Sequence, residues 1–192
     1  MVKGMYYYLR ENYKNLGKDE VKQRMTEWRK AGAIVRLEKP SRLDKARMLG
    51  YKAKKGIVVV RVKLLRGGRR RRRPRKGRRS KRMTPRKTLQ MNYREVAEQR
   101  AARKYINMEV VNSYFIGKDG MNFFYEVILA DRDSPDLKSD RQIAPLINSP
   151  RGRAFRGLTS AGTKARGLRK ELLSNLKKYK KVKNRRKPNE FL

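Results

Sequence analysis

The sequence predicts an α+β fold, a small antiparallel or mixed sheet packed by helices and carrying a long basic loop and a basic C-terminal extension. Three observations predict it. The run IVVVRVKLL at 57–65 is β-branched and alternates. EVVNSYFIGKDGMNFFYEVILAD at 109–131 reads as two strands around a glycine-bounded turn. Segments with helical spacing precede and separate these strands, so the sheet has apolar stripes to pack against.

In chain order, Met5, Leu9 and Leu16 share one helical face with Tyr6 and Tyr13 beside it, and Gly17 ends the segment. A second helix starts at Lys18. It has Asp19 and Glu20 in its first turn, Arg29 and Lys30 in its last and Gly32 just beyond, an order that suits the helix dipole. Val21, Met25 and Trp28 form its apolar stripe. In 57–65, Val58, Val60, Val62 and Leu64 point one way while Arg61 and Lys63 point the other, as in a half-buried strand. The tract 66–82, RGGRRRRRPRKGRRSKR, has no apolar side chain whose burial offsets the entropy of ordering. Residues 66–89 are therefore expected to be a loop, disordered when the chain is alone. Asn92 followed by Glu95 has the spacing of a helix N-cap with its reciprocal partner, and Val96, Ala97, Ala101 and Tyr105 continue a third helix to about Asn107. The hairpin turns at 117–120, with Phe123, Tyr125, Val127 and Leu129 on one face of its second strand. Turn residues follow Asp131, then a short mixed segment to Ile147, and from Pro150 the chain is basic again. The order is helix, helix, strand, long basic loop, helix, strand, strand, basic tail. The length suits one domain, with globular parts at about 1–65 and 90–147, the loop at about 66–89 and the tail at about 148–192.

Lys and Arg number 55 against 17 Asp and Glu, a formal charge of +38, and apolar residues reach only 38%. Such a chain repels itself and buries a small core. Nucleic acid is favoured as partner over an anionic membrane or an acidic protein, because it offers phosphates at the needed density. The tract uses arginine far more often than lysine, and a plain linker has no need of forked, in-plane hydrogen bonds. Its candidate phosphate contacts are Arg66, Arg69, Arg70, Arg71, Arg72, Arg73, Arg75, Lys76, Arg78, Arg79, Lys81 and Arg82. A nuclear localisation patch has the same composition and stays open as a reading. The segment RGRAFRGLTSAGTKARGLRK, 151–170, spaces cations with glycines, which suits irregular backbone along a phosphate chain with Phe155 free to stack on a base; the alternative is a short helix with a basic face. Tyr6, Tyr7 and Tyr8 suit either base stacking or core packing, with at least one of them expected to be buried.

Cysteine and histidine are both absent, which removes disulfides, thiolate chemistry, zinc ribbons and the commonest general base. Asp131, Asp133, Asp136 and Asp140 depart from the calcium-loop pattern, which wants glycine where Asp136 stands, and turn or capping roles explain them better. GLTSAGTK at 157–164 imitates a nucleotide phosphate loop, but Thr163 precedes Lys164 instead of following it. No catalytic constellation, cofactor, metal site or small-molecule substrate emerges. No run approaches the ~18 apolar residues of a membrane span, and MVKGMYYYLRENYK lacks the apolar block of a signal peptide. A cytoplasmic protein without a membrane partner is expected.

Residues 44–68, DKARMLGYKAKKGIVVVRVKLLRGG, resemble the central signature of the archaeal and eukaryotic large-subunit ribosomal protein family numbered fifteen, the L fifteen e type, with an archaeal member expected. The hairpin at 111–131, RGLTSAGTKARGL at 156–168 and the opening YYYLRENY agree with the same family, in its order. The histidine that the family usually carries soon after the second hairpin strand is missing here. The resemblance implies an α+β fold with a small antiparallel sheet, similar to the ribosomal L twenty-three family, with extensions embedded in large-subunit (23S-type) rRNA among neighbouring ribosomal proteins. It also implies no catalysis. Carried over by segment, Lys45, Arg47, Tyr51, Lys52, Lys54 and Lys55 line the RNA before the first strand, the tract from Arg66 continues the contact, and Arg156, Lys164, Arg166 and Arg169 extend it in the tail.

The expected function is that of a structural constituent of the large ribosomal subunit, recognising RNA shape and backbone. The alternative from another class is a DNA-compacting chromatin protein. RNase-sensitive migration with the large subunit separates the first from the second. An RNA-modifying enzyme needs a cofactor loop or a clustered acid and base, and neither is visible.

Overall fold

The computed structural model describes residues 2–168 apart from 71, 73, 74, 76, 79, 83–85 and 88–90. Its elements are α1 (Met5–Lys14), α2 (Lys18–Lys30), β1 (Ile34–Leu37), α3 (Leu43–Met48), β2 (Ile57–Leu65), β3 (Arg69–Arg70), a 3-10 turn (Ser80–Arg82), β4 (Arg86–Lys87), α4 (Tyr93–Lys104), β5 (Met108–Lys118), β6 (Asn122–Asp131), α5 (Pro135–Lys138), α6 (Ala144–Ile147) and α7 (Ser160–Ala165). The main sheet runs β1-β2-β6-β5, antiparallel throughout, the first of the two arrangements the sequence allowed.

Both faces of this sheet are covered, where the alternation in 57–65 implied one. Val58, Val60, Val62, Leu64, Val110, Val127 and Leu129 pack with Ala97 and Ala101 of α4 and with Ala154. Trp28, Val111, Tyr114, Ile116, Phe124 and Ile128 pack on the opposite face with Ala46, Leu137, Ile143 and Ile147. Arg61 and Lys63 point to that second face and still find partners there. The Arg61 guanidinium sits 5.2 Å from the Trp28 ring centroid, and Lys63 Nζ donates to the carbonyls of Arg29 and Ala31, both at 2.7 Å, closing the C-terminus of α2.

The register of β5 carries a change of phase. Its pairing with β6 shifts between Val110 and Asn112 and again between Phe115 and Gly117. An extra residue turns the side chains that follow it to the other face. Val110 faces α4, yet so do Ser113 and Phe115, while Tyr114 and Ile116 enter the opposite core.

Four sequence expectations change. The sheet has a fourth strand, β1, whose four residues are too few to show a period beside α3, itself only six residues long. Residues 66–89 include the two-residue ladder β3–β4 and a 3-10 turn, pairing Arg69 with Lys87 and Arg70 with Arg86. None of Tyr6, Tyr7 and Tyr8 is buried, at 44%, 40% and 59% exposure. The reason is that α1 meets the body through Tyr13, whose hydroxyl donates to the Ile116 carbonyl at 2.7 Å, while of its other apolar residues only Leu9 is half-buried. Within the basic segment after Pro150, which is irregular to Thr159, the alternative of a short helix holds for α7 alone, capped by Thr159, whose hydroxyl accepts from Gly162 N at 3.2 Å. Among the described residues no helix is long and apolar enough to cross a membrane.

Candidate nucleic-acid interface

Charge is segregated by depth. Among the described residues six carboxylates are buried, Asp44, Glu95, Glu98, Glu109, Glu126 and Asp140, and no buried residue is Lys or Arg. Buried carboxylates persist only when hydrogen bonds or cations satisfy them. Five of them are satisfied by gripping backbone amides, hydroxyls or basic side chains, whereas Glu95 Oε2 has no hydrogen-bond partner among the described residues and burial pushes that carboxyl above the usual range; the remaining cations are left to the surface.

The segment before β2 shows the principle. Lys45 is half-buried and Arg47 exposed on α3, and Tyr51 packs against the core beside Ala46. Lys52 Nζ donates to both carboxylate oxygens of Asp140 at 2.8 and 2.7 Å, and Lys54 Nζ to one of them at 3.4 Å. The Gln142 amide adds a bond at 3.0 Å. The Lys52 hydrogen bond, then the amide, hold the Asp140 carboxyl well below the usual range, at about 2. An ammonium has three donors. Lys54 thus keeps free donors toward solvent, as does exposed Lys55.

The base of the arginine tract is pinned to the hairpin. Arg66 N donates to Met121 O at 2.8 Å, and its guanidinium donates to Asp119 O at 2.6 Å while lying 5.0 Å from the Phe123 centroid. Tyr93, the first residue of α4, accepts from Gly67 N at 2.9 Å and donates to Gly67 O at 3.2 Å. Arg72, Arg75, Arg78 and Lys81 are exposed; Arg69 and Arg70 lie in β3, and Arg82 ends the 3-10 turn. Arg71, Arg73, Lys76, Arg79 and Arg169 lie outside the described residues.

The segment after Pro150 is stapled to α4 and β5 by two carboxylates. Glu109 accepts from Gly152 N and Arg153 N, both at 3.1 Å, with Arg132 Nη1 at 3.6 Å. Glu98, fully buried, accepts from the hydroxyls of Ser113 and Thr159. Asn92 caps α4 by accepting from Glu95 N at 2.7 Å and also donates to Ala161 O at 3.1 Å, joining α4 to α7. Arg156, Lys164 and Arg166 emerge from this platform exposed, and Arg166 Nη1 donates to Arg156 O at 3.4 Å.

The family model described as Ribosomal L15 matches residues 4–187. The chain belongs to the ribosomal L15e family. It is similar to the large ribosomal subunit protein eL15 of Methanocorpusculum labreanum, 53% identical over 173 residues, which cover 88% of this chain and 89% of that one. The protein of the same name from Methanospirillum hungatei is 51% identical, over 88% of this chain and 90% of that one. That from Picrophilus torridus is 48% identical, over 85% and 87%.

In this L15e chain, sequence reasoning missed the groups that position the cations. Arg153 reads as one more phosphate contact, yet its Nη1 donates to Val110 O at 2.7 Å and covers the outer edge of β5; burial pulls its guanidinium below the ordinary pKa against the pull of Glu109. Glu109 and Glu126 stand in the predicted hairpin strands, and an acid inside an apolar alternation is the one signal that marked them. Glu126 accepts from the Tyr114 hydroxyl and from Ser41 N at 3.1 Å, and burial followed by Glu126 pushes the Tyr114 phenol up. Asp140 fills its expected capping role toward Gln142, and the lysine pair on it was not foreseen.

Proposed function

We propose that this protein is a structural constituent of the large ribosomal subunit, which holds large-subunit rRNA by contacts to its phosphate backbone. Membership of the L15e family supports the assignment, and the observation that carries the mechanism is the sorting of charge: carboxylates inside, cations outside. The partners are the 23S-type rRNA and adjacent ribosomal proteins, and the setting is the cytoplasmic ribosome. Lys45, Arg47, Lys54 and Lys55, the tract from Arg66, and Arg156, Lys164 and Arg166 lie against phosphates, while Lys52 serves chiefly to tie its segment to Asp140. The tract settles between RNA helices as it binds, because phosphates relieve the like-charge repulsion that opposes its ordering. The work is packing and not catalysis. The chromatin alternative has no support from the family.

Crosslinking in intact ribosomes, mapped to nucleotides and protein segments, tests this. Crosslinks should concentrate in 66–82, in 45–55 and in 156–169. Abundant crosslinks from the hairpin with none from 66–82 would remove the tract as the main anchor. RNase-resistant association with the chromosome would overturn the assignment itself.

A further inference from the structure

The sheet face beneath α4 continues past the helix. Tyr93 is its first residue, and beyond it, toward the 119–121 turn, the face carries Phe115, Phe123 and Tyr125. The rings touch in sequence: Tyr93 to Phe123 at 4.7 Å between centroids, Phe115 to Tyr125 at 5.6 Å and Phe115 to Phe123 at 6.3 Å. Phe115 is the outermost, 43% exposed in the middle of a strand whose neighbours Tyr114 and Ile116 are buried. The phase change in β5 is what brings it to this face.

Two guanidiniums are fixed at the edges of this shelf. Arg66 lies over Phe123 and is held by the Asp119 carbonyl. Arg94 is held by Asn112 Oδ1 and by Ser113 Oγ at 2.8 Å, and Ser113 shares the face of β5 that carries Phe115. An apolar protein partner would have to desolvate two flanking cations without offering them a counter-charge. A nucleobase offers a flat π-face to the ring and phosphates to the guanidiniums, and stacking of this kind tolerates any base.

We propose that this shelf takes an unstacked RNA base, stacked on Phe115, with its neighbouring phosphates on Arg66 and Arg94. The proposal rests on the RNA-binding reading and adds to it a base contact at Phe115, where the sequence offered Phe155 and Tyr6, Tyr7 and Tyr8 for stacking.

The test uses the full chain with two probes, a single-stranded oligoadenylate and inorganic polyphosphate of similar charge, and the variants Phe115→Leu and Phe115→Trp. Phe115→Leu should lose about tenfold in affinity for oligoadenylate and none for polyphosphate, while Phe115→Trp should keep wild-type affinity. The indole fluorescence that Phe115→Trp adds to that of Trp28 should be quenched by oligoadenylate and not by polyphosphate, a readout that stands even if the leucine variant melts early. Unchanged oligoadenylate binding by Phe115→Leu, the result if the ring faces a protein, overturns the proposal, as does an equal loss for both probes. In either case salt-dependent binding of the wild type to RNA would leave the phosphate reading intact; its absence would sink both.

Discussion

Asp140 carries two ammonium partners on one carboxylate, and its chemistry is open to titration. Because the folded carboxyl is a stronger acid than in the unfolded chain, its contribution to stability is fully present above the ordinary aspartate pKa of about 4. It is lost as pH falls toward about 2, the folded value. Thermal stability of the wild type should therefore drop between about pH 4 and pH 2, and Asp140→Asn should be less stable at neutral pH and show a shallower acid limb. An identical limb in both proteins would mean that other carboxylates govern it. This residue also marks how far the sequence could be read at this scale. Its turn-and-cap role followed from its neighbours, but Lys52 lies far from it along the chain, and nothing local announces a pairing across that separation.

Among the elements, those with enough residues to show a period were legible. Strand β2, helix α2, the Asn92 cap and the hairpin all lie where alternation, dipole order and capping chemistry put them. Short elements and the bulges of β5 were not, because a single inserted residue leaves composition unchanged while reversing which face every later side chain takes. The attachment of α7 was hidden for a related reason: it depends on close approach, which only the fold creates. A Cβ added at Gly162 would lie 2.6 Å from Gly157 Cα and 2.7 Å from its carbonyl carbon, and Gly157 itself has φ +65°. Backbone cannot yield as a flexible side chain does. Gly162→Ala should thus destabilise by about 1–3 kcal/mol, despite alanine's better helix propensity, and should raise hydrogen exchange first in 157–168. A variant as stable as the wild type would show that α7 shifts freely, and that the Glu98 and Asn92 bonds do not fix the basic side chains beside it.

For the whole molecule, class and partner were legible because charge and composition add up without reference to the fold. Which cations face outward was not, since that is decided by where the six buried carboxylates sit. The same sorting makes a prediction about the tract. Its base, Arg66 and Gly67, is tied to Asp119 and Tyr93, and those ties do not involve residues 69–87. Replacing 69–87 with a short Gly-Ser linker should leave the melting temperature within a few degrees of the wild type or raise it, because the deletion removes like-charge repulsion and, among the described residues, no buried apolar contact. Binding to purified large-subunit rRNA should weaken, and the slope of log affinity against log salt should become shallower by roughly 0.7 for each single-strand phosphate no longer neutralised, more for duplex. Weaker binding with an unchanged slope would point to a changed shape and not to a smaller number of neutralised phosphates. An unchanged affinity and slope would leave the RNA on the α3 segment and on the α4 and α7 platform alone, with the arginines of the tract neutralising no phosphate.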